Sequence, residues 1–135
     1  MNSFIDTFKE MESSLAIVTE TWLKSGEGLE DDLDDLLHGA GIGLITLNRR
    51  AGSRGVAHGG VAIGYRAAVM DAKEIAIDNP KKFEVLPTIA TLAGQARKLI
   101  VIGAYVPPGY TARRGKDCLM FISDLVVQFL SLIHI

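Results

Sequence analysis

Three scarcities narrow the classes of protein that this sequence can represent. Its 135 residues include one cysteine, Cys118, so no disulfide forms within the chain and a disulfide-framed secreted domain is excluded. The longest apolar run, residues 99–106, is too short to cross a bilayer, and no secretion-type signal is recognisable. The chain also has no large excess of positive or negative charge, because 14 basic and 16 acidic residues leave a formal net charge of −2. We therefore expect an intracellular protein outside the membrane, without an overall positive field that would attract nucleic acid.

What the sequence does contain is the composition of a folded domain. Apolar residues make up 48% of it and charged residues 22%, unlike the low hydrophobicity of disordered chains. The length suits one hydrophobic core and is too short for two. No repeat, low-complexity tract or linker divides the chain. We predict one domain or part of one.

The spacing of apolar residues predicts a layered α/β fold. Residues 4–15, 29–37 and 117–129 are helical in pattern, and His38 and Gly39 offer a stop for the second helix. Strands are predicted for residues 15–19, 42–47, 60–66, 83–92 and 98–105. Strands in such close succession favour antiparallel pairing, with residues 93–96 closing the last hairpin. Pro87 predicts a bulge or an edge position in its strand.

Glu20 is the first residue that can carry chemistry. It follows the strand predicted at residues 15–19, which is apolar on both faces and so is expected in the middle of the layers. A carboxylate beside such a strand is costly to bury, and a divalent cation can neutralise it, although a strand-end glutamate can also emerge into solvent. The sequence IVTETWL (residues 17–23) resembles the metal-site motif of the endonuclease/exonuclease/phosphatase family. Its Glu-Thr-Trp-Leu form is similar to endonuclease domains of non-LTR retrotransposons.

Two further blocks extend the resemblance. The sequence RGVAHGGVAI (residues 54–63) resembles the family's basic loop that leads through a Gly-Gly pair into a strand, which implies that Arg54 and His58 lie near the substrate backbone. Arginine suits phosphate through its forked donors, but loop arginines are also commonly just solvated. No second histidine, cysteine or carboxylate stands at metal-ligand spacing from His58.

The second of these blocks is KLIVIGAYVPP (residues 98–108), which resembles the family's strand ending in Tyr-x-Pro-Pro. The resemblance implies that Tyr105 directs its hydroxyl at the scissile phosphate or its neighbours. Prolines cannot continue a sheet ladder, so they would end the strand and fix the direction of the tyrosine. A strand-end tyrosine can equally fill the core with its hydroxyl in water.

Membership of this family would imply a partial DNase I-like α/β sandwich over residues 1–129, with mostly antiparallel strands and covering helices. It would also imply a phosphodiesterase that uses Mg²⁺ or Mn²⁺, with Glu20 as a metal ligand and DNA as substrate. A retrotransposon polyprotein with a reverse transcriptase would place the protein in the nucleus. Oligomeric state is left open by the sequence.

Parts of the family pattern are missing from the chain. The opening strand with its metal-site asparagine, the Gly-Asp-x-Asn segment and the Ser-Asp-His motif have no counterpart, because Ser123-Asp124 is followed by Leu125 in a helical pattern. Residues 130–135 (LSLIHI) match the in-frame translation of a transposase-type sequencing adapter, so we expect a non-native tail. The expectation is a fragment that is inactive in isolation.

Two alternatives stay open beside the DNA endonuclease. The same fold could serve an RNA exonuclease or a phosphatase of phosphoinositides or sphingolipids. A noncatalytic binding module could also have kept the scaffold and lost the chemistry.

Overall fold

The computed structural model describes residues 14–19, 36–47 and 60–133 of the chain. Within these ranges it contains six strands and one long helix. Their bounds are β1 (Leu15–Thr19), β2 (Ile42–Leu47), β3 (Val61–Arg66), β4 (Met70–Glu74), β5 (Glu84–Leu92), β6 (Lys98–Tyr105) and α1 (Ala112–Ile133). The predicted helix at residues 4–15 and most of that at 29–37 lie outside the described residues, as does any structure before residue 14.

The strands form two antiparallel sheets of three strands each. Sheet 1 has the order β1-β3-β2 and sheet 2 has the order β4-β5-β6. In sheet 1, Thr19 of β1 and Leu47 of β2 both lie opposite Val61, and in sheet 2 Glu84 lies opposite Tyr105. The predicted α/β class and antiparallel pairing are confirmed. In the described part of the chain β1 is an edge strand of sheet 1 with Ile17 46% exposed, so it is less buried than the sequence predicted.

The two sheets pack face to face. Each strand alternates its side chains between two faces, and the apolar side chains on the inner faces are buried against each other. Val61 and Ile63 of sheet 1 are fully buried against Leu86 of sheet 2. Further along the same layer, Met70 and Ala90 form a second buried cluster. This layer between the sheets is one of the two main apolar cores of the described structure.

Helix α1 covers the outer face of sheet 2. Cys118, Leu125 and Phe129 fall on one side of the helix and are buried against Phe83 and Val85. The helix begins at Ala112, earlier than the predicted 117, because the Thr111 hydroxyl accepts a hydrogen bond from the Arg114 N–H at 3.1 Å. It continues without a break past residue 129 to Ile133. No helix in the described ranges is both long and apolar enough to span a membrane.

Aromatic and polar contacts fix the loop before β5 to the start of α1. The Arg114 guanidinium carbon lies 5.0 Å from the centroid of the Phe83 ring and 4.5 Å from that of Tyr110. The same guanidinium donates to the Lys81 carbonyl at 3.0 Å. Within the loop, Asn79 accepts from the Phe83 N–H at 3.0 Å and donates to the Phe83 carbonyl at 2.8 Å. Sheet 2 and α1 are therefore joined by specific contacts as well as by burial.

The outer face of sheet 1 packs against the end of a helix. Residues 36–39 are helical, and Leu37 is fully buried beside Ile42 of β2. The helix stops as predicted near Gly39, where the Ala40 and Gly41 N–H groups donate to the Leu37 and His38 carbonyls. Gly41 has a φ of 77°, a conformation that glycine adopts without strain. The described layers therefore run helix, sheet 1, sheet 2, helix.

Two features of sheet 2 differ from expectation. Strand β4 was not predicted, because its sequence MDAKE has no β-branched or aromatic residue and it forms by pairing with β5. Pro87 lies in unbroken register with Ile102, so the predicted bulge is wrong. Its strand is the central one of sheet 2, but β4 has no residue paired with Pro87.

The reason Pro87 is tolerated there is that β4 ends beside it. The last β4 pair is Glu74 with Thr88, and the Pro87 carbonyl then accepts from the Ile75 N–H at 2.9 Å. The missing N–H of the proline points to the same side, where the ladder has stopped.

Candidate functional site

Tyr105 lies where the sequence predicted, at the end of β6. The strand stops at this residue, and a turn follows in which the Tyr110 N–H donates to the Pro107 carbonyl at 3.0 Å. The side chain is half-buried and packs against the cluster of Val61, Ile63 and Leu86 between the sheets. Strand β6 thus presents Tyr105 at the inner face of sheet 2.

Several strands reach the same end of the sandwich. The register puts the last residues of β1 and β2 beside the first residue of β3, since Thr19 and Leu47 both lie opposite Val61. Contacts between the sheets then bring β6 to the same place. A Cβ built on Gly103 would lie 2.8 Å from a Val61 methyl carbon and 3.3 Å from one of Ile17. We call this the site end, defined by Thr19, Gly60, Glu84 and Tyr105.

Glu84 is a buried carboxylate at the site end. Its residue is 7% exposed, and its Oε1 accepts a hydrogen bond from the Gly60 backbone N–H at 2.7 Å. Gly60 directly precedes β3 and has a φ of 97°, which favours glycine. The bond therefore joins the first residue of β5 in sheet 2 to the start of β3 in sheet 1.

Sequence reasoning missed Glu84. One feature of the sequence could have revealed it. Glu84 stands in the run FEVLPTI (residues 83–89), in which every residue except Glu84 and Thr88 is apolar. A charged residue in such a run is rarely buried unless it has a partner. The partner, however, is a backbone group 24 residues away, which no local pattern reveals.

The predicted site residues are only partly within reach of the structure. Tyr105 is described, whereas Glu20, Arg54 and His58 lie outside the described residues. Their described neighbours in sequence are nevertheless informative. Thr19 immediately precedes Glu20, Gly60 follows His58 by two residues, and both belong to the site end with Tyr105.

No cluster of three or more histidine, cysteine, aspartate or glutamate side chains that could hold a metal occurs among the described residues. The acidic group that the described chain brings to the site end is Glu84, and its Oε1 is engaged by Gly60. Mg²⁺ needs several converging oxygen ligands, so Glu84 by itself does not make a metal site. The predicted Mg²⁺ or Mn²⁺ ligand remains Glu20, outside the described ranges.

One cavity lies on the other side of sheet 2. It has a volume of about 500 Å³ and is lined by Ile75, Phe121 and Phe129, with the carboxylates of Asp78 and Asp124. Acidic groups repel phosphate, so this cavity does not suit a phosphodiester. Asp124 is exposed on α1, as predicted for a solvent-side helix residue that is not part of a Ser-Asp-His motif.

Comparison with known proteins adds no relative to this picture. No protein-family model, curated protein or solved structure matches the chain. The function proposed below therefore depends on the residues themselves and on the geometry of the site end.

Proposed function

We propose that this chain carries part of the active site of a divalent-metal-dependent phosphodiesterase, namely a DNase I-like endonuclease domain that acts on DNA. One observation supports it most. Thr19, Gly60 and Tyr105, which border or belong to the three motif blocks of the sequence, meet at one end of the sandwich. Pairing and packing of the strands bring the three blocks together, as a shared site requires.

The residues have distinct roles in this proposal. Glu20 would be a ligand of Mg²⁺ or Mn²⁺, which would supply Lewis-acid polarisation of the phosphate when bound. Tyr105 donates its hydroxyl proton in a hydrogen bond to a phosphate oxygen. Arg54 and His58 bind neighbouring backbone phosphates, Arg54 through the paired donors of its guanidinium.

The chain binds but does not cut in this proposal. General-base catalysis needs a group that takes the proton from the attacking water, and the family motifs that supply it, Gly-Asp-x-Asn and Ser-Asp-His, do not occur in the sequence. We propose that these groups belong to the parent protein, a retrotransposon-type polyprotein.

The absence of cutting is tested with purified chain, Mg²⁺ and supercoiled plasmid. We expect no nicking above background, with Glu20→Ala as the matched control. Metal-dependent nicking by the wild-type chain that disappears in Glu20→Ala would show that the chain holds a complete site and that the inactive part of the proposal is wrong.

Binding at the site end is tested by fluorescence anisotropy with a short labelled DNA duplex in low salt without divalent metal. We expect Arg54→Ala to weaken binding by about threefold to tenfold and to reduce the salt dependence by about one phosphate contact. Tyr105→Phe, which keeps the ring, should weaken it less. The matched control is Arg97→Ala, an exposed arginine in the β5–β6 turn at the opposite end of the hairpin.

Two results would count against this assignment. Equal losses of DNA affinity in Arg54→Ala and Arg97→Ala would mean that DNA binds through surface charge in general and not at the site end. Displacement of the duplex by RNA or by a soluble inositol phosphate at much lower concentrations than unlabelled DNA requires would favour the alternative substrates of the same fold.

A further inference from the structure

We propose that Glu84 is a positioning residue of this site, which fixes Gly60, at the start of β3, relative to Tyr105. The inference rests on the proposed function for the identity of what is positioned. Its physical basis is independent of that function, because it is the bond from the Gly60 N–H to Glu84 Oε1 at 2.7 Å.

The position of Glu84 links two parts of the site. It is the first residue of β5 and lies directly opposite Tyr105 in the β5–β6 ladder. Its side chain points away from α1 toward sheet 1, on the same face as Leu86. Gly60, which it holds, is the residue through which the block at 54–59 joins β3. One carboxylate therefore joins the residue that precedes β3 to the position on β5 that lies opposite Tyr105.

A carboxylate is not needed at this position to fill space between the sheets. Burying a carboxylate is unfavourable, and an apolar side chain of similar size would fill the same space without that cost. A charged acceptor, however, makes a shorter and stronger hydrogen bond to a backbone N–H than a neutral one. This is the kind of group expected where a backbone position must be held closely.

Thr88 shows what a purely structural polar residue looks like on the same strand. It is fully buried, it lies four residues along on the same face, and its hydroxyl donates to the Val101 carbonyl at 2.9 Å. That bond stays within sheet 2, since Val101 belongs to the neighbouring strand. The Glu84 bond instead crosses between the sheets. Thr88→Val is therefore a matched control that removes a buried hydrogen bond without touching Gly60.

The first experiment measures DNA affinity of the full chain by the anisotropy assay above, at matched folded fraction. We expect Glu84→Leu to weaken binding by at least about fivefold, and Thr88→Val to change it by less than about twofold. Glu84→Gln should fall between wild type and Glu84→Leu, because its neutral amide oxygen still accepts from Gly60 but in a weaker hydrogen bond. A loss in Glu84→Leu no larger than in Thr88→Val would overturn the inference.

A double-mutant cycle separates positioning from general destabilisation. If Glu84 acts through the block that carries Arg54, Glu84→Leu should cost little further affinity once Arg54 is alanine. Thr88→Val and Arg54→Ala should combine independently. If the double variant instead loses affinity by the product of the two single fold-losses, the two residues act independently and the positioning role is overturned.

Amide hydrogen exchange tests the tether without reference to DNA. We expect the Gly60 amide to exchange at least about tenfold faster in Glu84→Leu than in Thr88→Val, relative to the Ile63 amide at the centre of β3. Equal relative rates would show that no tether exists. Failure of the wild-type chain to bind the duplex would overturn the proposed function and, with it, the role in phosphate binding. The exchange result then decides alone whether Glu84 holds Gly60.

Discussion

The two faces of the β5–β6 hairpin differ in chemistry although they share the same backbone. The face toward α1 carries Val85, Ile100 and Ile102 and packs on an apolar helix side. The face toward sheet 1 carries Glu84, Thr88 and Tyr105 among small and apolar residues. The alternation of a strand is enough to separate them, because neighbouring residues point to opposite sides.

The difference shows that one face of the hairpin is apolar where it packs on α1, while the other carries the polar groups of the proposed site. The face toward α1 carries apolar side chains and contributes to stability through burial. The sheet face gives up part of its apolar area to polar groups, and these lie mainly at the site end. Substitutions on the two faces should therefore have different consequences, and three of them test the comparison.

The largest effect is expected on the helix face. Leu125 is 3% exposed, and Leu125→Ala should lower the free energy of unfolding by about 2–5 kcal/mol, because it removes buried methyl groups and leaves a cavity. Urea unfolding followed by circular dichroism measures it. DNA affinity of the folded fraction should stay as in wild type.

The matched control for Leu125 is Val127→Ala on the same helix. Val127 is 62% exposed, so the change should stay within about 0.5 kcal/mol. Similar losses at the two positions would mean that α1 is not seated on sheet 2 as described, and a fall in DNA affinity would break the separation of the two faces.

A smaller effect is expected on the sheet face at Gly103. A methyl group there would meet a Val61 carbon at 2.8 Å and an Ile17 carbon at 3.3 Å, so Gly103→Ala should force the sheets apart. Overpacking of this kind destabilises by about 1–3 kcal/mol. Because Gly103 stands two residues before Tyr105, DNA affinity should fall as well, unlike in Leu125→Ala.

Gly109→Ala controls for the loss of a glycine. A Cβ at Gly109 has no atom within 4 Å, so the substitution should leave both unfolding and binding nearly unchanged. An unchanged Gly103→Ala protein would contradict the close approach of β6 to β3.

The smallest effect concerns Cys118 and pH. Burial raises the pKa of the Cys118 thiol above its ordinary value of 9.0, and the nearby Arg114 charge opposes this only in part. The folded protein therefore keeps the proton longer than the unfolded chain does. Stability from this group is complete below the unfolded pKa and declines as pH rises above it.

The measurement compares urea unfolding at about pH 7 and about pH 10 in wild type and Cys118→Ala. Lysines and tyrosines titrate in both proteins, so the difference between the two pH dependences isolates the thiol. We expect the wild type to lose more stability on going to high pH. The same loss in both proteins would show that Cys118 is not buried as a thiol.

Most of the described strands follow from local pattern, and the exceptions have a common cause. The bounds of β1, β2 and β6 agree with prediction because dense apolar runs stop at polar or proline residues. Strand β4 and Pro87 were misjudged, since their conformations are set by the partner strand rather than by their own residues. Local sequence cannot show which strand lies alongside.

The same limit applies to the candidate site. The position of Tyr105 at a strand end was predictable from the two prolines that follow it. Glu84 was not, because its role depends on a contact between sheets that only the three-dimensional register reveals. Sequence patterns therefore indicated which residues lie near Tyr105 at one end of the strands, but not the contact between the sheets that joins them.

Pro87 also bears on how the sheet assembles. A slide of β4 by two residues along β5 would keep every side chain on its proper face, so burial alone does not forbid this misalignment. A slide toward the start of β5 would, however, bring a β4 carbonyl opposite Pro87, which has no N–H to donate. The misaligned ladder would lose about one hydrogen bond, worth roughly 1 kcal/mol. A proline inside a central strand thus penalises a slide of its neighbour in one direction and favours the native alignment.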